Sequence, residues 1–230
     1  MRYFGGKARI GGEIAAHINR VPSLHTYWEP FCGGCSVIEH VRAPERVASD
    51  LHESLILLWK ALQEGWEPPV IVTEEEYKYA KLMETSALKA FIGFGCSNSG
   101  KWFGGYAREN TTRNFAMNAK RSLAKKLESL GDVEFYRDSY DEVGFPEGWV
   151  IYCDPPYGNT TGFSTGKFNH EKFWDWARKA SENNVVLISE YEAPEDFAVV
   201  WEKQVKTDMN KADGKTKHSR VERLFELIPF

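Results

Sequence analysis

Residues 149–163 read WVIYCDPPYGNTTGF and place an acid, two prolines and a tyrosine directly behind an apolar run. The run 150–153 is apolar enough for a strand buried inside a sheet. One interpretation is a strand that leaves the core through a proline turn, because prolines are common after strand ends. The other is a small clamp for a planar group that carries an NH2, formed by Asp154, Pro155, Pro156 and Tyr157. The rest of the sequence has to decide between them.

Strand-like and helix-like runs alternate on both sides of this stretch. Besides 150–153, β-rich runs occur at 26–31, 46–50, 133–138, 184–190, 197–202 and 223–228, and helices are predicted from the turn at 33–41, at 51–65 and at 170–182. Repeated strand–helix units predict an α/β fold with a doubly wound, mostly parallel, Rossmann-like sheet. The last two runs have no helix between them and are expected to form an antiparallel hairpin.

The middle of the chain interrupts this alternation. From about residue 65 to 131 no central strand is evident, and helices are predicted over 73–94 and 111–130. Thr73 and Glu76 fit a capping box at the start of the first helix. The linking stretch 93–110 is rich in glycine, aromatic and basic residues. We therefore expect a catalytic domain of residues 1–64 and 132–230 with an inserted helical subdomain at 65–131.

Composition limits the class of protein. The chain has 230 residues, 42% hydrophobic and 27% charged, and no apolar run near the ~20 residues that span a bilayer. The N-terminal sequence lacks the apolar core of a secretion signal. We expect a soluble, cytoplasmic protein. Cys32 and Cys35 form a C-x-x-C, but a second pair of ligands is missing, so no metal is expected.

Basic residues are concentrated in two stretches although the net charge is −4. Between residues 101 and 126 they lie at 101, 108, 113, 120, 121, 125 and 126, against the single acid Glu109. Between 203 and 223 they lie at 203, 206, 211, 215, 217, 220 and 223, against acids at 208, 213 and 222. Two basic stretches on an acidic body suit a polyanion bound on one face, although lysine-rich solvated surfaces are as common for either stretch alone.

The segment EPFCGG (29–34) follows the first strand, and Asp50 ends the second. Glycines there let the backbone approach a ligand, and an acid in the second position can accept hydrogen bonds from both hydroxyls of a ribose. Neither a P-loop nor a full dinucleotide fingerprint is present. Together the two features indicate a cofactor that contains a nucleoside, against the alternative of a simple capping aspartate.

With DPPY (154–157) added, the chain resembles the Dam-type DNA adenine-N6 methyltransferases, the D12 class, alpha group. The motifs that carry the resemblance are YFGGK (3–7), EPFCGG, Asp50 and DPPY, and the aromatic, glycine-rich loop at 91–105 is similar too. The resemblance implies S-adenosylmethionine as cofactor and DNA as partner. It implies cofactor contacts at Tyr3, Lys7, Glu29, Pro30, Phe31, Gly33, Gly34, Asp50, Asp138, Ser139 and Asp154. The family's glycine turn usually ends in a third glycine, where this chain has Cys35, and an aromatic residue often stands where Ser139 follows Asp138.

The chemistry of DPPY agrees with that resemblance. The amino group of adenine is a poor nucleophile because its lone pair is delocalised into the ring. A carboxylate oxygen of Asp154 and the carbonyl of Pro155 can each accept one N–H, which localises the lone pair toward a methyl donor in line with it. The prolines hold these acceptors in place. Tyr157 can stack on a base that has left the duplex.

DNA contacts are predicted with less detail. Phe163 is a candidate second wall for the flipped base, or an ordinary apolar lead into a helix. Lys101, Arg108 and Arg113 are candidates for contacts to phosphates or base edges, and Lys215 and Lys217 for contacts to phosphates. Trp102 could wedge into the base stack or simply pack the loop. The resemblance favours a short target such as GATC. Alternatives are methylation of N4 of cytosine or of RNA, and a DNA-binding module without catalysis.

Overall fold

The computed structural model describes residues 1–108, 114–144, 147–157, 168–207 and 218–228. The helices are α1 (Gly11–Ile18), α2 (Glu53–Gln63), α3 (Glu74–Ala80), α4 (Ala87–Ala90), α5 (Phe115–Leu130) and α6 (His170–Ser181). The strands are β1 (Thr26–Glu29), β2 (Glu45–Ser49), β3 (Glu134–Tyr136), β4 (Val150–Cys153), β5 (Val185–Glu190), β6 (Phe197–Thr207) and β7 (His218–Leu227).

The strands form one seven-stranded sheet in the order β3-β2-β1-β4-β5-β7-β6. The pairs from β3 to β5 are parallel, and β7 runs antiparallel to both β5 and β6. The predicted fold class, with its antiparallel closing hairpin, is confirmed. Strand order reverses between β1 and β4, and a doubly wound sheet binds its ligands beyond the carboxyl ends of the strands at such a point.

Hydrophobic side chains cover both faces of the sheet, as parallel strands require. One cluster includes Ile14 of α1, Trp59 of α2 and Leu123 of α5. The other surrounds Trp28 and includes Phe173 of α6. These two clusters fix the strand ends, and therefore the residues that follow them. No helix in the described part of the chain is long and apolar enough to cross a membrane.

The predicted helix after β1 is wrong. The chain forms only a 3-10 turn over Ile38–His40 there, and the N–H of Ile38 donates to the carboxyl of Glu29 at 2.9 Å. Helix α1, which the sequence did not predict, packs at the turn: a Cβ on Gly11 would lie 1.9 Å from the carbonyl oxygen of Ser36. The N-cap residue is Ile10, whose side chain cannot accept a hydrogen bond from the first turn of the helix. The Ser, Thr, Asp or Asn that usually marks a helix start in a sequence is therefore missing.

The predicted helix over 73–94 is divided. The capping box of Thr73 and Glu76 is present and begins α3, but Ser86 caps a second start at α4. A π-helical turn, Phe91–Gly95, follows. No sheet strand lies in the described part of 65–131, and side chains of α4 and α5 share a cluster with α2. The division into a catalytic domain and an inserted subdomain stays a prediction.

Candidate active site

A cavity of about 370 Å³ lies at the carboxyl ends of β1, β2 and β4. It is lined by every residue predicted to bind the cofactor: Tyr3, Lys7, Glu29, Pro30, Phe31, Gly33, Gly34, Asp50, Asp138, Ser139 and Asp154. Pro155, Pro156 and Tyr157 line it as well. The parallel arrangement explains this, because strands that run the same way deliver their following residues to one edge of the sheet.

The glycine turn after β1 is held between β2 and the N-terminal segment. The N–H of Cys32 donates to the carbonyl of Ser49 at 2.9 Å, and the N–H of Gly33 donates to Asp50 Oδ2 at 3.0 Å. Gly33 has a φ of +43°, and a Cβ there would lie 2.7 Å from the ring of Tyr3. The YFGGK segment thus folds directly over the turn, which needs glycine both for its backbone angle and for this close approach.

Cys35 occupies the position at which the family pattern has its last glycine. Its φ of +52° lies in the left-handed region, so the turn keeps a glycine-like conformation without the glycine. Burial raises the pKa of Cys35, and it raises the pKa of Cys32 well above the ordinary value. Both thiols are free and buried. Among the described residues no group of His, Cys, Asp and Glu is arranged to hold a metal ion.

Asp50 joins the glycine turn to the start of α2. Its Oδ2 accepts from Gly33, and its Oδ1 accepts from the N–H of His52 at 2.9 Å. Burial raises the pKa of Asp50, and these two backbone bonds oppose the rise. A carboxylate has about four acceptor sites, so sites remain for hydroxyl groups of a ligand. His52 also lines the cavity. Its Nδ1 atom is buried and has no hydrogen-bond partner among the described residues.

Glu29 is buried at the floor of the cavity. The hydroxyl of Tyr27 and the N–H of Ile38 both donate to its Oε2 at 2.9 Å. Burial raises the pKa of Glu29 to about 8, although both bonds favour the ionised form. Glu29 is therefore mostly protonated at neutral pH and adds little negative charge to the site.

Asp154 is paired with the N-terminal segment. Lys7 Nζ donates to Asp154 Oδ1 at 2.7 Å and lies 4.5 Å from the ring centroid of Tyr157. Burial raises the pKa of Asp154, and the charge and hydrogen bond of Lys7 oppose that rise. The acid of DPPY is thus placed in the cavity and keeps an adjacent cation, as an ionised hydrogen-bond acceptor requires.

Strand β7 and the residue after β5 supply cavity residues that sequence reasoning missed. The hydroxyl of Tyr157 donates to Glu222 Oε2 at 3.0 Å, and the ring of Tyr191 meets that of Tyr157 at 4.6 Å and nearly at right angles. Arg220 Nη1 donates to the hydroxyl of Tyr191 at 3.0 Å. All three missed residues line the cavity. Two signals were available: Tyr191 directly follows a predicted strand, and Arg220 and Glu222 are two residues apart, which places them on one face of a strand.

Asp138 and Ser139 follow β3 at the other side of the cavity. The hydroxyl of Ser139 donates to Asp141. The aromatic residue that the family pattern has directly after the acid comes one position later, at Tyr140. This ring lines the cavity and packs 5.3 Å from that of Phe31.

The described residues predicted to contact DNA are not part of the cavity lining, although Lys101 and Trp102 lie beside residues that are. Lys101 and Arg108 are exposed, with Lys101 Nζ 5.7 Å from the ring centroid of Phe4 and Arg108 Nη2 3.4 Å from Glu74 Oε1. Trp102 is half-buried, with its ring centroid 4.2 Å from that of His52. Arg113, Phe163, Lys215 and Lys217 lie outside the described residues.

Comparisons with known proteins agree with the sequence motifs. Residues 3–90 match the model of the D12 class N6 adenine-specific DNA methyltransferases, a span that includes YFGGK, EPFCGG and Asp50. The retron Ec67 DNA adenine methylase of Escherichia coli is 25% identical over 220 residues, which cover 82% of this chain and 75% of that protein.

Solved structures give weaker likenesses. The rRNA methyltransferase aviRa from Streptomyces viridochromogenes superposes with a TM-score of 0.45 at 15% identity, covering 97% of this chain and 86% of that one. The 23S rRNA methyltransferase ErmE gives a TM-score of 0.41 at 11% identity, covering 97% of this chain and 69% of that one. Neither likeness bears on what this chain acts on. The resemblance to D12 class N6 adenine-specific DNA methyltransferases is confirmed, by the family match over residues 3–90 and by the likeness to a DNA adenine methylase along most of the chain.

Proposed function

We propose that this protein transfers a methyl group from S-adenosylmethionine to the exocyclic N6 of adenine in DNA. The observation that carries the proposal is the position of Asp154 at the end of β4, in the same cavity as Asp50 at the end of β2. The first acid belongs to a motif that can hold an amino group, and the second is suited to a ribose. The family match and the likeness to a DNA adenine methylase support the same activity.

The residues around the glycine turn fit the cofactor. Asp50 keeps acceptor sites for the ribose hydroxyls, Gly33 and Gly34 keep the turn thin, and His52 Nδ1 is a buried polar atom that a ligand could satisfy. The cavity volume of about 370 Å³ lies within the range of small-molecule sites. When bound, S-adenosylmethionine supplies a methyl group activated by its sulfonium centre.

The DPPY motif prepares the amino group. Asp154 and the carbonyl of Pro155 each accept a hydrogen bond from one of its two N–H groups, so that the nitrogen lone pair turns from the ring toward the methyl donor. The nitrogen releases one of these two protons once it has gained the methyl group. The pyrrolidine rings of Pro155 and Pro156 restrict the backbone, so these acceptors need little reorganisation at the moment of transfer. Tyr157 stacks on the base. The chain forms no covalent bond to the substrate.

The target base must leave the duplex to reach this cavity. We assign the recognition of DNA to the segment 65–131, where Lys101 and Arg108 are exposed, and to the β6–β7 hairpin. Trp102, Arg113, Lys215, Lys217 and Phe163 remain candidates for contacts to DNA or to the base. A target such as GATC follows only from the resemblance. If DNA is the substrate, the protein acts inside the cell.

Incubation with unmethylated DNA and methyl-labelled S-adenosylmethionine tests the proposal. The product is digested, and the labelled nucleoside is identified by chromatography against standards. We expect N6-methyldeoxyadenosine. Label in N4-methyldeoxycytidine would keep the clamp and overturn the choice of base, and label found only when RNA is supplied would overturn DNA as the substrate.

A further inference from the structure

The ammonium of Lys7 is held between two carboxylates. Its Nζ lies 2.7 Å from Asp154 Oδ1 and 3.9 Å from Glu222 Oε2. The exposed fractions of the three side chains are only 8% for Lys7, 17% for Asp154 and 15% for Glu222. At this depth an ammonium needs a charged partner, because an unpaired buried charge is strongly destabilising.

Lys7 also occupies contacts that the proposed reaction assigns to the target base. It donates to the carboxylate that would accept an amino hydrogen of adenine, and it lies over the ring of Tyr157, on which the base would stack. A hydrogen bond to a carboxylate and a contact with an aromatic face are the two interactions that an aminated planar base would itself make. Without DNA, therefore, Lys7 makes the two contacts that the target base would make.

Glu222 is placed to take the ammonium when the base arrives. A movement of about 1 Å would bring Nζ from 3.9 Å into hydrogen-bond distance of Oε2. That oxygen already accepts from the hydroxyl of Tyr157 at 3.0 Å, which fixes the carboxylate, and a carboxylate oxygen can accept a second donor. Glu222 pairs with Lys203 of β6, and the next residue, Arg223, pairs with both β5 and β6, so the backbone at Glu222 is held by the sheet.

We propose that Glu222 is a positioning residue that receives the ammonium of Lys7 as the target base enters, which frees Asp154 and the face of Tyr157 for the base. The inference rests on the proposed function, and it adds a residue of β7 to the motifs that the sequence shows. Without Glu222 the ammonium would stay on Asp154, because leaving it would strand a buried charge.

A double-mutant cycle tests this role. Glu222→Gln keeps an oxygen for the Tyr157 hydroxyl and the size of the side chain but removes the charge that attracts Lys7. The single-turnover rate of methyl transfer to unmethylated DNA is measured at saturating DNA and cofactor. We expect Glu222→Gln to lower this rate about tenfold in the wild-type background and less than about twofold in a Lys7→Met background, since the two residues act as a pair. Glu226→Gln, farther along the same strand, is the matched control and should leave the rate unchanged.

Equal losses in the two backgrounds would overturn the inference, since Glu222 would then act only through Tyr157. If Lys7→Met is itself inactive, a structure with DNA and S-adenosylhomocysteine decides. With the base in the cavity, Lys7 Nζ should lie within about 3.2 Å of Glu222 and no longer donate to Asp154. A lysine still bound to Asp154 beside the inserted base would refute the exchange. Absence of methyl transfer by the wild-type protein would be a different failure, that of the proposed function itself.

Discussion

At the scale of single residues, the structure separates two acids that look alike in the sequence. Glu29 and Asp154 each follow or end a buried strand, and both line the cavity. Glu29 has no cation within hydrogen-bond distance in the described structure, and burial raises its pKa to about 8. Asp154 is paired with Lys7 at 2.7 Å. The first acid is suited to a neutral structural role, and the second, with its adjacent cation, to accepting hydrogen bonds.

The buried Glu29 predicts a pH dependence of stability. Its pKa in the folded protein, about 8, lies above the ordinary value of 4.5, so the folded state holds a proton that the unfolded chain releases. The stability from this proton is complete below pH 4.5 and is lost as the pH rises toward 8. Glu29→Gln keeps a neutral side chain of the same shape. Between about pH 5 and pH 8, a range inside this window, the free energy of unfolding in urea should therefore fall less for Glu29→Gln than for the wild type.

Glu39→Gln, a change at an acid paired with Lys126, provides a contrast for that experiment. It removes the salt-bridge partner of Lys126 and leaves Glu29 in place, so it should not flatten the pH dependence. If Glu29→Gln and the wild type lose stability in parallel over the window, Glu29 is ionised in the folded protein and the assignment is incorrect.

At the scale of elements, the glycine turn after β1 forms one wall of the cavity. Gly33 has a φ of +43°, and a Cβ at this position would lie only 2.7 Å from the ring of Tyr3. Gly33→Ala should therefore lower the free energy of unfolding by about 1–3 kcal/mol, the usual cost of such backbone strain. It should also weaken binding of S-adenosylhomocysteine, since the turn has to shift. Urea unfolding and calorimetric titration measure the two effects.

Gly131→Ala is the matched control for that substitution. Gly131 ends α5 with a φ of −62°, and a Cβ there would meet nothing closer than 3.8 Å. Alanine is expected to be neutral or to stabilise the fold by up to about 1 kcal/mol. Similar losses of stability for the two variants would contradict the structural reason given for Gly33.

The elements also show what the sequence could and could not reveal. The strands were predictable, because runs such as 150–153 and 185–188 are apolar and β-rich and are followed by polar residues. Helix α1 was not, because it starts without a side-chain cap. The helix expected after β1 fails because the buried Glu29 accepts the N–H of Ile38 and because α1 packs against the turn.

The site residues that directly follow strands could be predicted from the sequence. Contacts between residues far apart in the sequence could not, because they depend on tertiary packing. Asp50 and Asp154 each come directly after a strand, so motif and topology together locate them. The bond of Tyr157 to Glu222 joins residues 65 positions apart, and that of Lys7 to Asp154 joins residues 147 apart. No local pattern encodes such pairs. They follow from the position of β7 in the sheet and from the N-terminal segment lying over the glycine turn.

At the scale of the whole molecule, the net charge of −4 opposes DNA binding, and the basic stretches must overcome it. If Lys101 and Arg108 meet phosphates, the affinity for duplex DNA should fall steeply as salt rises, with a slope that becomes shallower by about one for each contact removed. Fluorescence anisotropy with a labelled duplex over a range of salt concentrations measures this. Lys101→Gln is expected to reduce the slope, whereas Lys60→Gln, on α2 beside Tyr136, should not. A flat salt dependence of the wild type would mean that these residues are ordinary solvated surface.

The central claim is that the acid of DPPY holds the amino group of the target base. Its most direct test compares methyl transfer by the wild type and by Asp154→Ala, with binding of DNA and of S-adenosylhomocysteine measured for both. We predict that the single-turnover rate falls by at least about 10²–10³, the usual effect of removing one such acceptor or donor, while both ligands still bind. Asp175→Ala, at an exposed acid paired with Arg178, controls for the loss of a carboxylate and should transfer at the wild-type rate. Methyl transfer by Asp154→Ala at a rate close to that of the wild type would contradict the account.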